Sequence, residues 1–144
     1  MKFLFAGFFF VSLTACQSHD DLQGTWQLVS SAKIEKGRTT TDDWSGKKMI
    51  KILNATHFSF LNHDTNGGKD STTASFVAGG GTYTHEGDRY TEQVEYCSYR
   101  PYEGKSFDFT VEIKQDTLIQ TGKEEVKEMG INHVIVEKYV RVKN

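Results

Sequence analysis

The feature that most constrains this chain is an alternation of apolar and polar residues with a period of two. Phe107, Phe109, Val111 and Ile113 alternate with Ser106, Asp108, Thr110, Glu112 and Lys114, the pattern of a strand with one face in a core and the other in water. In residues 89–98, Tyr90, Val94 and Tyr96 share one face with Glu92, while Thr91, Gln93, Glu95 and Cys97 take the other. Near the end, Val134, Val136, Val140 and Val142 alternate against Ile135, Glu137, Tyr139 and Arg141. Segments 25–34, 48–53, 57–62, 73–77, 82–85 and 117–121 read the same way, and their Thr, Val, Tyr and Phe content favours strands. Turn signals at Asn66-Gly67-Gly68, Glu86-Gly87-Asp88, Glu103-Gly104 and Gln115-Asp116 separate the runs. Their spacing is too short for parallel crossovers, so the strands are antiparallel. Residues 41–45 and 123–129 are the two short stretches that read as helical turns. A chain of 144 residues supports one domain. Eight to ten short strands within it predict an all-β, up-and-down antiparallel barrel, whose closure removes exposed edges.

The first fifteen residues do not belong to that pattern. Residues 3–11 are apolar except for Gly7. A helix of that length is too short for a hydrocarbon core of roughly 30 Å, and its length and flanks fit a secretory signal peptide over 1–15. Leu13-Thr14-Ala15-Cys16 resembles the bacterial lipobox, which implies acylation of Cys16 as the new N-terminus. Residues 16–21 then form the lipidated Cys and a short polar tether, and residues 22–144 form the domain. Gln17, in place of an acidic residue, favours the outer membrane as destination. Acylation of Cys16 would leave Cys97, the other of two cysteines, without an intramolecular partner; a small half-buried strand residue is its simplest reading. The formal net charge of −2 gives no basis for nucleic-acid binding.

Gly24-Thr25-Trp26 at the start of the first strand resembles the Gly-x-Trp opening of lipocalin-like (calycin) barrels. The resemblance implies that Trp26 plugs the closed end and packs against an Arg of the last strand, here Arg141, with Gly24 letting the chain pass close by. Further pieces fall in the order seen in a family of secreted bacterial lipocalin-like domains of uncharacterised function. They are Lys51-Ile52-Leu53, Thr56-His57-Phe58, Gly79-Gly80-Gly81-Thr82-Tyr83, Tyr90-Thr91-Glu92, Val94-Glu95-Tyr96 and Gly104-Lys105-Ser106-Phe107. The resemblance spans residues 22–143 and implies a fold without a reaction. Residues 64–73 read as an insertion at one rim.

Glu92 is the informative polar residue. If Tyr90, Val94 and Tyr96 face the core, its carboxylate does too, and a buried charge needs a partner. One reading pairs it with a neighbouring Tyr or Arg as structure. The other makes Glu92, His57, Tyr83 and Tyr90 polar anchors of a small-molecule pocket walled by Tyr96, Phe107 and Phe109. Tyr99, Arg100, Pro101 and Tyr102 form an aromatic, cationic loop that either covers a barrel end or offers a rim contact, and Trp44 is a second rim aromatic or a plug. Gly79-Gly80-Gly81 precedes a strand rather than a helix, so it reads as a bulge or bend and not a phosphate cradle. The scattered His57, His63, His85 and His133 have no zinc-site spacing, and no metal or cofactor is expected. The preferred function is a membrane-anchored lipoprotein carrying a small, partly apolar ligand. A filled structural or assembly barrel is the alternative, and an enzyme would require Glu92 and His57 to converge on one open point.

Overall fold

A computed structural model describes residues 21–143. The leader, Cys16 and most of the tether lie outside them. The strands are β1 (Gly24–Glu35), β2 (Arg38–Thr41), β3 (Lys47–Leu53), β4 (His57–Asp64), β5 (Phe76–Glu86), β6 (Arg89–Cys97), β7 (Ser106–Lys114), β8 (Thr117–Val126) and β9 (Ile131–Arg141). Each pairs antiparallel with its neighbours, and β9 returns to pair with β1 from Trp26↔Arg141 to Ile34↔Val134. β2 and β3 share one edge of β1, β2 on its second half and β3 on its first, so the nine segments fill eight positions. The fold is a closed eight-stranded antiparallel barrel.

Alternation fills the barrel. Trp26, Leu28, Leu53, Phe58, Tyr83, Tyr90, Phe107, Phe109, Val111, Leu118, Ile135 and Tyr139 are all buried. Up-and-down topology gathers the turns at 54–56, 87–88 and 115–116 at one end, with the start of β1 and the end of β9. The connections at 36–37, 42–46, 65–75, 98–105 and 127–130 gather at the other.

The terminal end is closed as the Gly-x-Trp resemblance implies. Trp26 is completely buried, and its Nε1 donates to the Leu22 carbonyl at 2.8 Å. The Arg141 guanidinium lies 4.0 Å from the indole centroid and donates to the carbonyls of Gln23 and Asp21. Stacking and hydrogen bonding together fix this half-buried cation. Gly24 has φ +136°, and a Cβ there would lie 2.7 Å from Arg141 Nη1, so the position excludes a side chain for both conformational and steric reasons.

Several local expectations are corrected. Residues 41–45 do not form a helical turn: Thr41 ends β2 and the rest is a loop. Of residues 123–129, the first four extend β8 and only Lys127–Met129 form a 3-10 turn. The segments 73–77 and 82–85 are not separate strands; β5 runs unbroken from Phe76 through the three glycines. A register shift lies at Gly80/Gly81, opposite Val94 and Tyr96, where the glycine triplet suggested a bulge. Cβ atoms at Gly79 and Gly80 would lie 2.6 Å from the Phe60 ring and the Phe58 carbonyl, and one at Gly81 would collide with the Gln93 carbonyl. Glycine lets β4 and β6 close on β5 from both sides.

The bulge inverts one face assignment. Glu95 and Tyr96 are consecutive exposed residues, and Cys97 is buried. The extra residue in β6 turns Tyr96 out of the barrel and Cys97 in.

Candidate functional site

The closed half of the barrel is filled and the other half is hollow. A cavity of about 260 Å³ opens between the connections opposite the Trp26 plug. Its floor is a polar layer supplied by four strands: Lys51 of β3, Glu92 of β6, Gln120 of β8 and Glu137 of β9. Each occupies the inward position of its strand, with Met49 and Leu53 around Lys51, Tyr90 and Val94 around Glu92, Ile135 and Tyr139 around Glu137, and Leu118 below Gln120. Above this layer Val94, Phe107, Phe109 and Ile135 form apolar walls.

Lys51 is the centre of the floor. Its Nζ donates to Glu92 Oε1 at 2.7 Å and to Gln120 Oε1 at 2.9 Å, and only 3% of its side chain is exposed. The rings of Phe58, Tyr90 and Tyr139 surround the ammonium with centroids 5.5–5.9 Å away. Glu92 Oε1 also accepts the Tyr90 hydroxyl at 2.8 Å, and Glu137 Oε2 accepts that of Tyr139 at 2.7 Å. Burial, reinforced by the adjacent glutamates, pushes both phenols up, so both remain hydrogen-bond donors.

Two acids have no lysine of their own. Glu137 is raised above the ordinary glutamate range, chiefly by burial, with Lys51 and Tyr139 pulling the other way. Glu124, inward on β8, meets His133 Nε2 at 3.1 Å, yet burial outweighs His133 and raises it too. At the mouth, Asp42 accepts from Ser31 Oγ at 2.5 Å and Lys33 Nζ at 2.9 Å. Trp44 Nε1 donates to the same Ser31 hydroxyl at 2.9 Å. Burial costs Asp42 something, but these bonds and Lys33 hold it below its usual range. The Arg100–Tyr102 turn caps the other side, placing Tyr99 and Tyr102 on the cavity. Tyr102 packs on Phe107 at 5.7 Å, and its hydroxyl is pushed up to about 12 by burial. Cys97 lines the wall as an unbridged thiol, pushed up by burial.

Of the residues singled out from sequence, Glu92, Phe107 and Phe109 meet at the cavity. Tyr90 lies beneath the floor and acts through Glu92. Tyr83 packs on Tyr90 at 5.3 Å and donates to the Asn54 carbonyl at the closed end, so it is not on the cavity wall. Tyr96 faces outward with 69% exposure. His57 is exposed at the start of β4, bound to Thr56 Oγ1, because its inward neighbour is Phe58. His57 and Glu92 therefore lie on opposite sides of the wall and share no open point.

Sequence reasoning missed Lys51, Gln120, Glu124 and Glu137. The argument that turned Glu92 inward applies equally to Glu137, which alternates with Ile135 and Tyr139. Ile50 and Ile52 concealed Lys51, because a lysine between isoleucines reads as solvent-facing; Ile52 is instead 39% exposed. Among the described residues, no group of three or more His, Cys, Asp or Glu is placed to hold a metal ion.

Among solved structures, the fold is similar to zebrafish ileal bile acid-binding protein complexed with cholic acid. That match has a TM-score of 0.39 and 17% identity, covering 83% of this chain and 98% of that one. No curated protein sequence matches the chain. A family model matches residues 21–144, which include every described residue, and on that extent the chain belongs to the family described as a domain of unknown function, DUF4488.

Proposed function

We propose that this barrel binds a small, partly apolar molecule in its open half, and that acylated Cys16 holds it on a bacterial outer membrane. The observation that carries the binding reading is the uneven filling of the interior. Aromatic rings fill the closed half, whereas about 260 Å³ above the Lys51 layer is unfilled. At about 30 Å³ for each water in the liquid, that space suits a ligand of roughly ten non-hydrogen atoms. Apolar walls over a polar floor match the usual makeup of small-molecule sites.

Native mass spectrometry of the protein purified from its own host tests the binding reading. A co-purifying mass of about 150 daltons, matching roughly ten non-hydrogen atoms and absent from a cavity-filling Val94→Trp variant, is the expected result; an empty folded barrel from every host preparation contradicts it. The anchor has its own test. Cys16→Ser should move the protein from the detergent phase to the aqueous phase, and unchanged partitioning would refute acylation.

A structural role in the envelope is the second reading. Leu61, Phe76 and Tyr96, on neighbouring strands β4, β5 and β6, are 37%, 66% and 69% exposed on the outer wall, and they would be its contact surface.

A further inference from the structure

The charge balance of the cavity narrows the ligand class, an inference that rests on the binding reading above. Four carboxyl groups line the space, from Asp42, Glu92, Glu124 and Glu137, against two ammonium groups, from Lys33 and Lys51. Asp42 is paired with Lys33 at the mouth and Glu92 with Lys51 at the floor. Glu124 and Glu137 are left over, and only His133 stands beside the first.

Hydrogen bonding is unbalanced in the same direction. Among the described residues, the side-chain hydrogen bonds of Glu92, Glu124 and Glu137 each fall on a single oxygen: Oε1, Oε2 and Oε2 respectively. No side-chain hydrogen bond falls on the second oxygen of any of the three. Asn62 Oδ1, on the upper wall, is a buried acceptor with no partner. The cationic donors are already engaged, Lys51 by Glu92 and Gln120 and Lys33 by Asp42, as are the phenols of Tyr90 and Tyr139; the donors left on the cavity, such as the Gln120 and Asn62 amides, are neutral. The interior therefore offers negative charge and acceptor oxygens that lack cationic donors. A carboxylate entering it would meet two uncompensated acids and no available cation, whereas an ammonium supplies the missing cationic donor.

We infer that the ligand's polar end is a protonated amine seated between Glu124 and Glu137, with its apolar body against Val94, Phe107 and Ile135. The two acids sit on adjacent strands of one wall, β8 and β9, Glu137 at the floor and Glu124 above it. Their mutual repulsion, which contributes to raising Glu137, is relieved when a cation lies between them. The apolar walls exclude a fully hydrated polyamine, so the class is a monoamine on a short aliphatic or aromatic body.

The test uses three probes of one shape, phenylbutylamine, phenylbutanol and phenylbutanoate, titrated calorimetrically into the soluble Cys16→Ser protein near neutral pH. The amine should bind at least about tenfold more tightly than the carboxylate, with the alcohol between them. In a Glu124→Gln/Glu137→Gln variant the amine should fall to the alcohol's affinity, while the alcohol changes by no more than about twofold. Equal or tighter binding of the carboxylate overturns the amine assignment and leaves the cavity reading intact, as does an amine preference that survives the double variant. Failure of all three probes to bind overturns both readings. The comparison among probes on the unaltered pocket stands even if the double variant does not fold.

Discussion

Lys51 is the residue on which the interior depends. Its charge is shielded by three aromatic rings and answered by Glu92 and Gln120. Removing one member of such a pair leaves the other charge buried alone, at a cost of about 3–5 kcal/mol, whereas replacing both by apolar residues is often neutral. Lys51→Met should therefore destabilise strongly, and Lys51→Met with Glu92→Leu should recover most of the loss; urea unfolding of the two variants checks it. Equal destabilisation by the single and double changes would show that the pair is not the organising contact. The plug makes a second test. Trp26→Ala should cost about 3–5 kcal/mol, as for other large buried aromatics, and an unchanged urea midpoint would show that the indole does not close the barrel. Gly24 and Trp26 were legible through one local motif, and Arg141 through the resemblance which that motif carries. Lys51 was not, because its inward direction depends on the register β1–β3–β4, and no short window of sequence encodes that register.

At the scale of elements, the alternation in β7 and β9 carried directly into the fold, since an unbroken strand preserves its two faces. β6 shows the limit of that inference. Its first half follows the sequence reading, with Tyr90, Glu92 and Val94 inward, and its last two residues, Tyr96 and Cys97, invert because one extra residue enters the pairing. Gly79-Gly80-Gly81 marked the place in β5, but the side chains that change face are on the partner strand. Gly81 is thus expected to be far less tolerant than a turn glycine. Gly81→Ala would push a Cβ into the Gln93 carbonyl, whereas Gly87, with φ +63°, has open space around it. Gly87→Ala should bear only the conformational penalty of about 1 kcal/mol, and Gly81→Ala should exceed it clearly in thermal unfolding. Comparable midpoints for the two variants would mean that β5 and β6 are not pressed together at the bulge. The two misread helical stretches have a related cause: both are short and polar, and pairing with β1 and β9 holds Thr41 and residues 123–126 extended.

The whole molecule combines a rigid closed end with an acid-rich hollow, and its stability should depend on pH in two senses. Asp42 and Asp108 are held below the ordinary range, Asp42 chiefly by Ser31 and Lys33 against the cost of burial, Asp108 chiefly by Thr91. Their contribution is present above the unfolded value of 3.8 and lost as the pH falls below it. Glu124 and Glu137 are raised by burial. The folded protein holds their protons more tightly than the unfolded chain, so their contribution is complete below 4.5 and declines as the pH climbs from there through their folded values. Urea midpoints should therefore fall on the alkaline side of 4.5, and Glu124→Gln/Glu137→Gln should flatten that limb while leaving the acid limb intact. A decline of undiminished slope in the variant would place its cause elsewhere.

Methyl-resolved NMR reads the central claim, a hollow upper half above a solid lower half, most directly. Titration of the Cys16→Ser protein with phenylbutylamine should shift the methyl signals of Met49, Val77, Val94 and Ile135, which line the cavity. Those of Leu53 and Leu118, packed in the closed half, should move little. Shifts confined to the outward residues Leu61 and Val140, or no shifts at probe concentrations that saturate a site of this size, would contradict the account.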